Sequence, residues 1–116
     1  MADAPMALVK GTLDILILRT LNWGPAHGYA ISRWIRETTR EDLNVEEGAL
    51  YPALRRLEER NLVESAWKRT ETGREAKVYH LTAAGRRQLQ RELDGWTRYV
   101  AAMTRVLQAR PTGGIS

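Results

Sequence analysis

From residue 89 onward the apolar residues Leu89, Leu93, Trp96, Val100, Met103 and Leu107 recur at intervals of 4, 3, 4, 3 and 4. That is a heptad seam, and it calls for a helix that meets another helix along its length. A chain of 116 residues has room for one modest core. A helix running from about Ala83 to Ala109 outreaches such a core, so the seam is expected to meet a second copy of the chain and the first helix of either chain. The plain alternative is a helix folded wholly onto its own domain.

Upstream, GTLDILILRTLNWG predicts a helix over about Thr12 to Asn22. Leu13, Leu16, Ile17 and Leu21 form its stripe, and Ile15 and Leu18 widen it enough to predict burial on two sides. Gly24 and Pro25 break that helix, and HGYAISRWIRETT resumes helical spacing with Ile31, Trp34 and Ile35 on one face. A third helix is predicted from near Val45, capped by Asp42 or Asn44, with Leu50, Leu54 and Leu57 inward and Asn61 as a left-handed cap. LVESAWK and AKVYHLT flank the polar stretch RTETGRE, whose Gly73 suits a turn, and together predict a two-stranded hairpin. Thr82 suits the cap of the last helix, and PTGGIS has the composition of a disordered tail. The expected fold is mainly α with a small β-hairpin, a winged helix-turn-helix over residues 1–82, a dimerisation helix over 83–110 and a tail over 111–116. In that order of elements the third helix enters the major groove of DNA and the hairpin lies on the backbone.

With the three leucines inward, Gly48, Pro52, Arg55, Arg56 and Glu59 of helix three point outward, flanked by Ala49 and Tyr51. Arginine can donate two hydrogen bonds to guanine or pair with a phosphate, and tyrosine can reach a phosphate through its hydroxyl. Pro52 lacks the amide that would bond the Gly48 carbonyl, which ordinarily costs about 3 kcal/mol in a helix interior. Close to the helix start and beside a glycine it is better tolerated, and it leaves a face poor in side chains where a backbone can approach DNA. Lys68, Arg69, Arg74 and Lys77 cluster around the hairpin turn, and Lys10 precedes the first helix. The bland reading is a solvated face with Arg55 paired to Glu58 or Glu59. The net charge of +4 is too small to decide between the two readings.

LVKGTLDILILRTL, GPAHGYAI, EEGALYPALRRLEERNLVES, EAKVYHLTAAGRRQL and the tryptophan of LDGWTRY resemble the PadR family of bacterial transcriptional regulators, in its short subgroup with a single C-terminal helix. The match covers about residues 8–107. It implies a homodimeric regulator, most often a repressor, bound to a two-fold-symmetric operator in double-stranded DNA, with dimer contacts through the first and last helices. Leu13, Leu16 and Ile17 would then join the seam residues in the dimer. Many relatives carry threonine where this chain has Ala49, so a hydroxyl contact is missing there. Two copies of Trp96 on the seam would frame a slot for a planar aromatic or phenolic effector, as in some multidrug-sensing members, although a seam tryptophan is more often simple packing.

Catalysis finds no footing. There is no cysteine, and the two histidines, His27 and His80, have no carboxylate at a metal-ligand spacing. The three serines include no nucleophile elbow, and GPAHGY lacks the glycine spacing and lysine of a phosphate loop. No catalytic residue, metal or cofactor is expected. MADAPMALVKGT has no signal-peptide pattern and no segment reaches the ~18 apolar residues of a membrane span, so a soluble, cytoplasmic protein is expected with no membrane partner. The competing class is a winged-helix protein-interaction module, or a drug-sequestering dimer that binds no operator.

Overall fold

The computed structural model describes residues 5–115. In chain order it has α1 (Leu13–Leu21), β1 (Ala26–His27), α2 (Gly28–Thr38), α3 (Glu47–Glu59), β2 (Val63–Arg69), β3 (Glu75–Leu81) and α4 (Ala83–Gln108). This is a winged helix-turn-helix carrying a long C-terminal helix. Residues 109–115 hold no helix or strand. Residues 1–4, and residue 116 at the end of the expected tail, lie outside the described residues.

Each helix begins or ends for a local reason. His27 caps α2, its Nδ1 accepting from the Ala30 amide at 3.2 Å. At the end of α3, Asn61 is left-handed (φ 61°). Its amide donates to Glu58 O at 3.0 Å and that of Leu62 to Leu57 O at 3.0 Å, a Schellman closure that turns the chain into β2. Thr82 caps α4, its Oγ1 accepting from the Gly85 amide at 2.9 Å. The start of α3 departs from expectation: neither Asp42 nor Asn44 is the cap. Glu46 occupies that place with no side-chain bond, and its carbonyl accepts from Leu50 at 2.9 Å.

Ile17, Leu18, Ile31, Leu50, Leu54, Leu57 and Val63 fill the centre of the core. Trp34, expected inward with Ile31 and Ile35, is 43% exposed, because it stands at the edge of the stripe those two define. The sheet has three strands in the order β1-β3-β2, so the predicted hairpin gains a short edge strand. Ala26 pairs with Tyr79 and His27 with Val78, tying the α1–α2 turn to the wing. The wing turn closes through Gly73 (φ 83°), whose amide donates to Thr70 O at 2.9 Å.

The wing and α4 meet at one crowded joint. The Leu62 carbonyl accepts from the Thr82 amide and lies 3.1 Å from its hydroxyl, and it sits where a side chain on Gly85 would go, 2.1 Å from an ideal Cβ. Along α4, Leu89 reaches the core and Leu93 packs on its edge. From Asp94 onward every described residue of the helix is exposed.

Candidate nucleic-acid interface

The outward face of α3 carries Gly48, Ala49, Tyr51, Pro52, Arg55 and Arg56, all exposed. Helical spacing turns Tyr51, Arg55 and Glu58 toward the hairpin. There, burial holds the Tyr79 hydroxyl above the ordinary phenol range against the pull of nearby Lys77, and Glu58, Tyr51 and Arg55 also act on it. Glu58 is the fastener between helix and wing. Its carboxylate accepts from Ser65 Oγ at 2.5 Å and meets Lys77 Nζ at 3.5 Å. The Lys77 ammonium also lies 5.7 Å from the centre of the Tyr79 ring.

These contacts sort the cations. The bland pairing of Arg55 with Glu58 or Glu59 does not form, since Glu58 is engaged by the wing. Among the described residues no carboxylate lies within 4.0 Å of Arg55, Lys10, Lys68, Arg69 or Arg74. Arg56 reaches back to Asp14 of α1 at 3.6 Å, and Lys77 is neutralised by Glu58. Lys77 is therefore a positioning residue of the wing rather than a free cation. Lys10 is exposed in the turn before α1, at which the Thr12 amide donates to Val9 O at 3.0 Å.

Tyr51 owes its place to Gly28, for which the sequence alone suggests no role beyond starting a helix. A Cβ on Gly28 would come within 2.7 Å of the Tyr51 hydroxyl, so the bare backbone seats the ring across the start of α2.

The predicted dimer residues fall into two groups. Ile17 and Leu89 are 0% and 3% exposed inside the single chain, so they offer no contact area and support the surface from beneath. Leu13, Leu16 and Leu93 are half-buried, while Trp96, Val100, Met103 and Leu107 are exposed. Between the segment before α1, α1 itself and α4 runs an apolar cavity of about 380 Å³, lined by Leu8, Ile15, Leu16, Leu43, Leu93 and Trp96 among others. The Met6 amide donates to Asp42 O at 2.7 Å and pins its outer wall.

Residues 17–91 match the transcriptional regulator PadR-like family. The chain belongs to the PadR-like family. Solved PadR-like structures share its architecture. A PadR family regulator from Clostridium difficile is 32% identical with a TM-score of 0.74, over 84% of this chain and 99% of that one. A PadR-like regulator from Bacillus cereus is 29% identical with a TM-score of 0.75, over 87% and 96%. A transcriptional regulator from Clostridium thermocellum is 29% identical with a TM-score of 0.76, over 83% and 93%. PadR-like proteins are transcriptional regulators and not enzymes. DNA-binding regulation of transcription is thus the general role of this PadR-like chain. No helix among the described residues is long and apolar enough to cross a membrane.

Proposed function

We propose that this PadR-like chain acts as a homodimeric, ligand-responsive repressor. Helix α3 enters the major groove of each half of a two-fold-symmetric operator, and the wing lies on the flanking backbone. The observation that carries the reading is the sorting of cations: among the described residues Arg55 of α3 and Lys68, Arg69 and Arg74 of the wing have no carboxylate within 4.0 Å. Arg55 is the leading groove contact and Tyr51 a phosphate contact. Gly48, Ala49 and Pro52 keep the leading face low, and Arg56 exchanges Asp14 for phosphate. Lys10 adds a contact at the start of α1.

Dimerisation through α4 is supported by its uncovered apolar seam, since contiguous exposed apolar surface on a small soluble chain marks an interface. The cavity beside Trp96 supports a planar aromatic or phenolic effector, whose binding would shift the two α3 helices apart.

The test is a titration of the duplex immediately upstream of the protein's own gene. Wild type is expected to bind with steep salt dependence. Arg55→Ala with Arg56→Ala is expected to weaken binding by about 10-fold or more, since each well-formed arginine–guanine pair contributes about 1–3 kcal/mol. Unchanged binding would place the DNA surface elsewhere. Sedimentation showing only monomer at micromolar concentration would remove the dimer.

A further inference from the structure

Trp67 of β2 is 68% exposed. Strand alternation puts Val63, Ser65, Trp67 and Arg69 on one face, and the register sets opposite them Leu81, Tyr79, Lys77 and Glu75. Along that face the environment changes in steps. Val63, Leu81 and Tyr79 are buried in the core, and Ser65 and Lys77 are fastened to Glu58 of α3. One position farther out stands Trp67, outside the core cluster. An indole left this open keeps most of its apolar surface in water and adds little to the stability of the single chain. Free cations border it: Lys68 and Arg69 follow it and Arg74 lies at the turn, while Lys77, held by Glu58, faces it across the ladder and Glu75 faces Arg69.

We propose that Trp67 is an uncharged DNA contact. Its indole packs against the deoxyribose edge of the minor groove next to the major groove that α3 enters, while Lys68, Arg69 and Arg74 meet the neighbouring phosphates. The charge around it selects a polyanion, and its shared face with Ser65 and Tyr79 makes it continuous with the surface that carries Tyr51 and Arg55. The wing thus joins an apolar wedge to a phosphate clamp, a combination proteins use at the minor groove. This inference rests on the α3–wing surface being the DNA face.

The experiment titrates the upstream duplex at several salt concentrations with wild type, Trp67→Ala, Trp67→Phe, and Lys68→Ala with Arg69→Ala. Trp67→Ala is expected to lose about tenfold in affinity, in the range of an aromatic contact to nucleic acid, with the log–log salt slope unchanged. Trp67→Phe retains most of the affinity, whereas the double charge variant flattens the slope by about two. A full-chain variant with Trp23, Trp34 and Trp96 replaced by phenylalanine isolates the Trp67 emission, which duplex DNA is expected to quench. If wild type fails to bind any duplex, the DNA-face reading falls and the Trp67 contact with it. If wild type binds and Trp67→Ala binds within about twofold of it, or if the isolated emission ignores DNA, the Trp67 contact alone is overturned. Quenching by polyglutamate as strong as by DNA would overturn the assignment in favour of an acidic protein partner.

Discussion

Replacing Gly85 by alanine should damage this protein more than the same change at the other helical glycines, Gly28, Gly48 and Gly95. An ideal Cβ there lies 2.1 Å from the Leu62 carbonyl oxygen and 2.8 Å from a Leu81 methyl carbon. The first neighbour is backbone, so it cannot step aside as a side-chain end would. Relief requires α4 to lift from the hairpin, which strains the Thr82 amide bond to Leu62 O at 3.1 Å and the Thr82 hydroxyl contacts at 2.8 and 3.1 Å. Overpacking costs about 1–3 kcal/mol and each compromised hydrogen bond about 1 kcal/mol, so the loss should be about 2–5 kcal/mol. At about 4 °C per kcal/mol for a domain of this size, Tm falls by about 8–20 °C. The assay is thermal melting by circular dichroism at one fixed chain concentration, because a dimer's Tm depends on concentration. Gly48→Ala is the matched control. Nothing lies within 4 Å of its Cβ, and at the second position of α3 the exchange should change stability by under about 0.5 kcal/mol, less than for a glycine in mid-helix. A Gly85→Ala protein melting within about 2 °C of wild type would refute the steric account of the joint.

Gly28→Ala should cost little stability, since the clash is with the movable end of Tyr51, yet it should lower DNA affinity by displacing that hydroxyl; melts and titrations run together separate the two. Thr82→Ala removes the α4 cap and should destabilise by about 1 kcal/mol, read as a lower urea midpoint. The folded chain holds the raised Tyr79 proton more tightly than the unfolded chain does. Its contribution is therefore complete below the unfolded phenol value near pH 10 and is lost as pH rises through the higher folded value. Urea midpoints from about pH 8 to about pH 11 should fall at the alkaline end, less steeply in Tyr79→Phe. Arg56→Ala frees Asp14 and should shift stability by under about 1 kcal/mol, because the pair is partly exposed.

What the sequence disclosed was what depends on neighbours along the chain. The helical periods placed all four helices, Asn61 and Thr82 announced their caps, and Gly73 marked the wing turn. What it withheld depends on contacts between distant residues. β1 is two residues long and exists because β3 presents its edge. The Arg56–Asp14 and Lys77–Glu58 pairs, which decide which cations stay free, join separate elements. A heptad count gives the direction of a stripe but not its neighbour, and a family resemblance names a helix but not its buried side, so the seam's Leu89 and the first helix's Ile17 are expected at a dimer interface although the chain's own core claims both. Gly28 had a signal in retrospect, a helix-starting glycine two dozen positions before an outward tyrosine, but only the packing of α2 against α3 gives it meaning. Trp67 was visible as a strand residue, and its exposure was not.

The shallow rooting of α4 makes it a lever arm. Beyond Leu89 the helix extends about 28 Å at about 1.5 Å per residue with nothing from its own chain beneath most of it. A tilt of about 10° at the root sweeps Gln108 through about 5 Å, roughly the pitch of one helical turn. The gain works in both directions. If the far ends of two such arms are clasped together, a small wedge inserted near Leu93 rotates each winged domain about a distant fulcrum. DNA half-sites stand about 34 Å apart and punish a mismatch of a few ångströms, so modest repacking at the root is enough to detune the pair.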